Sequence, residues 1–394
     1  MAIETVSTQT QVSRLRKGTW MEVDLDRILR NLARLRRKVR PFTRFMAVVK
    51  ANAYGHGLVP VSRALQGKVD FLGIGSLKEA SLLREQGITS PLFLFGRIFP
   101  DEAPLALQMN LVLTVSSLEE AKAISEVSVG LQKTASVHVK VDTGMGRLGI
   151  PYSTALSEIE KMVTLPGLKF DGIYTHFPQA ERYPEPFGEK QLADFEKLIQ
   201  NLRRIGISFP FRHAANSAGA LRLKSTWLNL VRPGIALYGI YPAPSFEGEI
   251  ELEPALSLKT RIVFLKRLAP GESVGYGREF ITSRPTTIAV LPVGYAQGYP
   301  FHLSGKGEVL YRGKRFPIAG RICMDSMMID LGDFTEAQVG EEVTLVGSEG
   351  EERMSPEALA RLAKTIPYEI VTRLDPGIPR FYQTRESSSE NLPF

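Results

Sequence analysis

With one cysteine in 394 residues, Cys323, the chain can form no intrachain disulfide and no cysteine zinc site, and a reducing compartment is the simplest setting. No apolar run approaches the roughly 20 residues that cross a bilayer, and the opening MAIETVSTQTQVSRLRKG lacks the apolar stretch of a signal peptide. These absences predict a cytoplasmic protein without membrane insertion. No GxGxxG fingerprint follows the first strand candidate, which argues against a doubly wound dinucleotide-binding sheet. Aromatic side chains are absent from the basic stretch RILRNLARLRRKVR, where Arg27, Arg30, Arg34, Arg37 and Lys38 punctuate an apolar helical stripe. The net charge of +7 is therefore read as a solvated helix face, with no nucleic-acid partner expected.

What is present is a soluble composition, 43% hydrophobic and 23% charged, on a chain too long for one ordinary core. Short apolar runs alternate with amphipathic stretches: FMAVVK, VDFLGIG, PLFLFG, LVLTV, SVHVKVD, LKFDGIYTH, FPFRHAAN and WLNLVRPG, with helices between them near 57–67, 76–87, 101–109, 116–127, 151–164, 186–205 and 216–223. Strands buried on both faces and joined by helices belong to a parallel sheet. Eight such units predict an α/β fold, an N-terminal (β/α)8 TIM-type barrel over residues 19–245. Past Tyr241 the alternation changes to segments such as LSLKTRIVFLKRL, TTIAVLPV, SMMIDL and EEVTLVG, which predict a mainly β domain over 246–383. One helix is expected in it, near 355–365 with Ser355 as its cap, and residues 1–18 and 384–394 are expected to be flexible.

Barrel chemistry sits at the C-terminal ends of the strands. Lys50 ends the first strand, Arg147 follows the fifth, His176 the sixth, Asn216 and Ser217 the seventh, and Arg232 to Gly234 the eighth. A lysine after four apolar residues either pairs with a carboxylate at the rim or stays partly desolvated, which makes its amine nucleophilic and suited to Schiff-base chemistry. The segments NSAGA and RPGIALYG occupy the loops that commonly bind phosphate in barrels. Ser217 would offer a hydroxyl there, and Gly234 and Ile235 backbone N–H groups; NSAG reads equally well as a helix cap. A phosphate beside a reactive lysine points to pyridoxal 5'-phosphate.

The segments AVVKANAYGHG, KVDTGMGRLG, THF, NSAGA, VRPGIALYG, VGYGREF, VGYAQGYP and GRICMDSMMID resemble, in order, the signature segments of bacterial alanine racemases, a fold-type III pyridoxal-phosphate family. The resemblance implies racemisation of L- and D-alanine, supplying D-alanine for peptidoglycan, by a head-to-tail homodimer with shared active sites. It implies that Lys50 carries the cofactor, that Tyr54, Ser217, Gly234 and Ile235 hold its phosphate, and that Arg232 faces the pyridine nitrogen. Arg147 would meet the cofactor's phenolic oxygen and the substrate carboxylate, oriented by a carbamylated Lys140. Lys50 and the partner subunit's Tyr276 would be the two opposed bases, with His176 and Arg232 favouring ionised tyrosine. Met324, with Asp325 beside it, would bind the substrate carboxylate, and Tyr295 and Arg321 would line the entryway.

Three positions depart from that pattern: Pro376 stands where the family usually has a tyrosine, Phe301 where many relatives carry arginine, and Glu181 where aspartate is common. They leave room for a broader serine/alanine specificity. Two other readings share the lysine motif. A same-fold amino-acid decarboxylase would use a cysteine-acid segment where GRICMDS stands, and a single-domain cofactor carrier would lack the β domain.

Overall fold

The computed structural model describes residues 18–182 and 185–384. Apart from Gly18 and Thr384, the two segments expected to be flexible lie outside the described residues.

The chain opens with β1 (Trp20–Asp24) and helix α1 (Leu25–Lys38), and then enters the barrel. Its strands are β2 (Arg44–Val48), β3 (Phe71–Ile74), β4 (Leu92–Leu94), β5 (Leu111–Val115), β6 (Ala135–Asp142), β7 (Leu168–Tyr174), β8 (Phe211–His213) and β9 (Leu230–Val231). All eight expected strands are there. They pair in parallel in the order β9-β2-β3-β4-β5-β6-β7-β8. The bonds Asn229 N–H to Arg212 O (3.3 Å) and Arg232 N–H to Ala215 O (3.0 Å) draw the last edges together, so the barrel is nearly closed. Alternation within each strand divides the core. Met46, Phe71, Phe93, Val112, Tyr174 and Leu230 form one buried cluster, while Phe45, Ala47, Leu72, Leu92 and Leu113 join the larger core shared with the helices.

Residues 19–245 were expected to be barrel throughout, but β1 lies in the sheet of the second domain. It pairs antiparallel with Leu256–Arg261 and parallel with Arg380–Gln383, and Trp20, Met21 and Val23 are fully buried there. That position buries the apolar residues of WMEVD. Helix α1 then meets the acidic connection between the domains: Arg30 contacts Glu253 at 2.7 Å, and Arg34 contacts Glu253 at 2.5 Å and Glu251 at 3.5 Å. Arg30 and Arg34 are thus docked, while Arg27, Arg37 and Lys38 of the basic run are exposed, as expected of a solvated face.

The second domain is mainly β, as expected. Its larger sheet runs Lys314–Pro317, Glu308–Tyr311, Glu342–Glu349, Leu256–Arg261, β1 and Arg380–Gln383, and a smaller one joins Phe264–Leu268, Thr286–Leu291 and Met327–Asp330. Ser355 caps the expected helix Pro356–Ala363, accepting the Ala358 N–H at 3.2 Å. A second short helix, Pro367–Thr372, begins with proline at its first turn. It lies against the segment after Lys50: a Cβ on Gly55 (φ +82°) would fall 2.1 Å from the Val371 carbonyl oxygen. Among the described residues, no helix is long and apolar enough to cross a membrane.

Candidate active site

At the C-terminal mouth of the barrel a cavity of about 450 Å³ is walled by ten of the residues singled out in the sequence: Lys50, Tyr54, Lys140, Arg147, His176, Asn216, Ser217, Arg232, Gly234 and Ile235. Lys50 leaves the end of β2 and leads into a turn in which Ala51, Asn52, Ala53 and Tyr54 all have φ of 51–54°. Four successive L-residues in left-handed conformation cost roughly 1–2 kcal/mol each, so the surroundings must impose this turn. The Lys50 amine lies 5.8 Å from the centre of the Phe95 ring. Burial, and then the positive charge of Arg147, hold its pKa below the ordinary lysine value, with Glu79 opposing.

Arg232 is buried at 3% exposure, and its partners are neutral. Its guanidinium donates to Thr175 O and Ala214 O (both 3.0 Å), His213 Nδ1 (3.0 Å) and His176 Nδ1 (3.1 Å). A guanidinium only donates, so both Nδ1 atoms accept and each ring carries its proton on Nε2. Burial, followed by the charge of Arg232, pushes both imidazoles well below their ordinary range and keeps them neutral. His213 Nε2 passes the pattern to His138 Nδ1 at 2.9 Å. His138, pushed down to about 3 by burial, ends the chain among Phe71, Phe93 and Phe211, its Nε2 without a hydrogen-bond partner. Burial pushes Arg232 down to about 10, which still leaves it charged at neutral pH.

In the same cavity, Ser217 Oγ accepts the N–H groups of Gly234 (2.9 Å) and Ala236 (3.4 Å), which leaves its own hydrogen to donate. Tyr54 stands beside Gly234, its ring 5.1 Å from Tyr238 and 6.1 Å from Tyr368. Burial raises the Tyr54 phenol pKa, so the hydroxyl is a neutral donor. A Cβ on Gly234 would fall 2.5 Å from Tyr54 Oη; only glycine lets the Tyr54 hydroxyl lie this close to the backbone. Asn216 lines the cavity but also caps helix Ser217–Arg222, accepting the Gly219 N–H at 3.0 Å. The Tyr54 and Ser217 hydroxyl donors suit a phosphate, and the lysine in the same cavity suits an aldehyde; together they fit pyridoxal phosphate.

Lys140, 4% exposed on β6, is pushed down to about 8 by burial and then by Arg147. Arg147 is returned over the strand end by Asp142, whose carboxylate accepts the N–H groups of Gly144 (2.9 Å), Met145 (2.8 Å) and Gly146 (2.9 Å). Sequence reasoning missed Tyr174, Tyr368 and Thr372 in the cavity wall, and His138 and His213 behind Arg232. A histidine in FRHAAN, at a strand end, was the available signal.

Five other candidates stand apart from this cavity within one chain. Tyr276, Met324 and Tyr295 are 71%, 60% and 44% exposed on the second domain, and Asp325 is exposed with them. They are near one another: Tyr295 N–H donates to Cys323 O at 3.1 Å, and Arg321 packs at Gly277, ion-paired to Glu279 at 2.5 Å. Of the departures, Phe301 packs edge-on against Tyr295 (6.1 Å), Pro376 is exposed with its carbonyl bound by Arg380 at 2.9 Å, and Glu181 sits in the short turn Ala180–Arg182.

A parallel barrel with a desolvated lysine at a strand end, a phosphate-type cradle in the same cavity and a β domain after it defines a class of two-domain barrel enzymes. Residues 23–242 match the family model of the alanine racemase N-terminal domain, and residues 255–382 that of its C-terminal domain. The alanine racemase of Desulforamulus reducens is 42% identical over 371 residues, covering 93% of this chain and 100% of that protein; that of Halothermothrix orenii is 37% identical over 373 residues, covering 94% and 98%. Among solved structures, the alanine racemase from Bacillus anthracis with bound L-Ala-P superposes with a TM-score of 0.89 at 35% identity, over 96% of this chain and 98% of that one. The chain belongs to the alanine racemase family.

Proposed function

We propose that the protein interconverts L- and D-alanine, using pyridoxal phosphate held on Lys50 and two opposed bases, in a homodimer that completes each site with residues of both chains. The observation that carries this reading is the convergence of a desolvated Lys50, a buried Arg232 and the Ser217–Gly234–Tyr54 cradle on one cavity. When bound, the cofactor supplies an electron-accepting ring that acidifies the Cα hydrogen of an amino acid.

The protein's own groups do the rest. The Lys50 amine, its pKa lowered by burial, exchanges a proton with one face of Cα. The partner subunit's Tyr276 serves the opposite face, which accounts for a tyrosine left 71% exposed in a single chain. Arg147 holds the substrate carboxylate. Arg232, which only donates and stays cationic, would give an N–H to an unprotonated ring nitrogen and disfavour its protonation, so the ring would stay neutral, which limits side reactions. Lys140 has a fraction of neutral amine at neutral pH because its pKa lies near 8. That amine adds to carbon dioxide, a proton leaves to water, and the resulting carbamate pairs with Arg147. The Met324 backbone N–H, with Asp325 beside it, would meet the substrate carboxylate, and Tyr295, Phe301 and Arg321 would line the entryway. A cytoplasmic enzyme of this kind supplies D-alanine for peptidoglycan.

The test is a racemisation assay over a panel of L-amino acids, with and without added pyridoxal phosphate, beside a Lys50→Ala control. Alanine turnover that needs both cofactor and Lys50 supports the reading. Clearly higher kcat/KM for another amino acid, carbon dioxide release, or activity in the control would overturn it.

A further inference from the structure

Two helices of the barrel begin with the same motif. After β3 the residues are Gly75-Ser76-Leu77-Lys78-Glu79, and after β5 they are Ser116-Ser117-Leu118-Glu119-Glu120. In both, the serine caps the helix, accepting the N–H of Glu79 (3.3 Å) or Glu120 (3.1 Å). In both, one glutamate oxygen reaches back to the residue before the cap, accepting the N–H of Gly75 or Ser116 at 2.7 Å. The second oxygens differ. That of Glu120 is buried without a hydrogen bond, with Arg97 4.0 Å away. That of Glu79 accepts the N–H of Ala51 at 2.7 Å and of Asn52 at 3.4 Å, the first two residues of the left-handed turn after Lys50.

From this difference we infer that Glu79 is a positioning residue: it ties the left-handed turn to the neighbouring strand end and thereby sets the Lys50 side chain in the cavity. The inference rests on the reading of Lys50 as the cofactor lysine. Capping the helix needs only the bond to the residue before the cap, as Glu120 shows, so the bond to Ala51 is additional. The Lys50 stem runs over the same junction, its Cβ 3.4 Å from where a Cβ on Gly75 would lie. Both Glu79 oxygens accept, so the charge-assisted pair requires a carboxylate; a glutamine would turn an N–H2 group toward one of the N–H donors. The conformation being held has an intrinsic cost, because L-residues avoid it.

The experiment uses the cofactor-free full chain and pyridoxal phosphate as the probe. The rate at which Lys50 becomes trapped by borohydride reduction is measured beside amide hydrogen exchange at Ala51 and Asn52. Glu79→Gln should slow trapping about tenfold or more, the loss expected of a charge-assisted hydrogen bond, and speed exchange at both amides. Glu120→Gln, which alters the same cap without touching the turn, should leave both readouts within about twofold of wild type. Adding Ala51→Gly to Glu79→Gln should recover part of the rate, because glycine adopts positive φ freely. Should Glu79→Gln not fold, Glu79→Asp, which keeps charge and cap but is too short to bridge Gly75 and Ala51, decides on the same readouts. Trapping and exchange unchanged in the Glu79 variant, or equally altered in Glu120→Gln, would overturn the inference. If Lys50→Ala is trapped as fast as wild type, the reading of Lys50 fails instead.

Discussion

Replacing Gly234 by alanine tests the cradle with a single methyl group. The added Cβ would lie 2.5 Å from Tyr54 Oη, 3.0 Å from Cζ and 3.4 Å from Cε2. Tyr54 has little room to retreat. Its ring is backed by Tyr238 and Tyr368, its backbone sits in the left-handed turn, and the Gly55 that follows abuts the Val371 carbonyl. The phenol or the Gly234 backbone must therefore move by roughly half an ångström or more, and overpacking of this kind costs about 1–3 kcal/mol. If the displaced groups are those that hold the phosphate, binding of pyridoxal phosphate should weaken about five- to 150-fold. Absorbance titration of the cofactor-free protein measures this directly. Gly130→Ala, where an added Cβ meets nothing within 4 Å, is the control. A Gly234→Ala dissociation constant within about twofold of wild type would refute the placement of the phosphate.

Other outcomes follow from the same geometry. Arg232→Glu replaces a donor by an acceptor that can pair with a protonated ring nitrogen, and should raise transamination relative to racemisation; an unchanged partition ratio counts against a neutral ring. Lys140 bears a pH signature, because its pKa of about 8 in the fold lies below the 10.5 of a free lysine. The unfolded chain thus holds more protons between these values, so the cost of burying the ammonium is complete below pH 8 and fades as pH rises toward 10.5. Under carbon-dioxide-free gas, the stability advantage of Lys140→Met over wild type should shrink by about 1 kcal/mol between pH 7 and pH 9; a pH-independent difference would show that the lysine is not so depressed. Tyr276→Phe should lower kcat by about two to four orders of magnitude while Cα deuterium exchange persists from one enantiomer of alanine and is lost from the other. Equal loss from both would argue against a base on each face.

The barrel was legible because each strand is short, apolar and followed by an amphipathic helix. WMEVD has the same texture, and only its pairing partners, 230 and more residues away, place it in the other sheet. Helix Pro367–Thr372 was hidden by its own composition, with Ile370, Val371 and Thr372 arguing for strand against a proline that starts a helical turn. Lys50, Ser217 and Arg232 could be placed from their positions at strand ends alone. Of the histidines behind Arg232, His213 carried the signal of a strand end in FRHAAN, whereas His138, inside its strand and facing the barrel interior, carried none. Glu79 was concealed by a motif that already has a sufficient meaning as a helix cap. Tyr276 and Met324 were legible only through family resemblance, and a single chain leaves them exposed.

Mixing two inactive variants tests the central claim most directly. Lys50→Ala and Tyr276→Phe are each purified, combined in equal amounts, dissociated and allowed to reassociate. If each site takes Lys50 from one chain and Tyr276 from the other, half of the dimers are hybrids, and each hybrid carries one intact site and one doubly altered site. Racemisation should then return to about a quarter of the wild-type rate. Activity that stays at the sum of the two variants after verified exchange would contradict a shared two-base site.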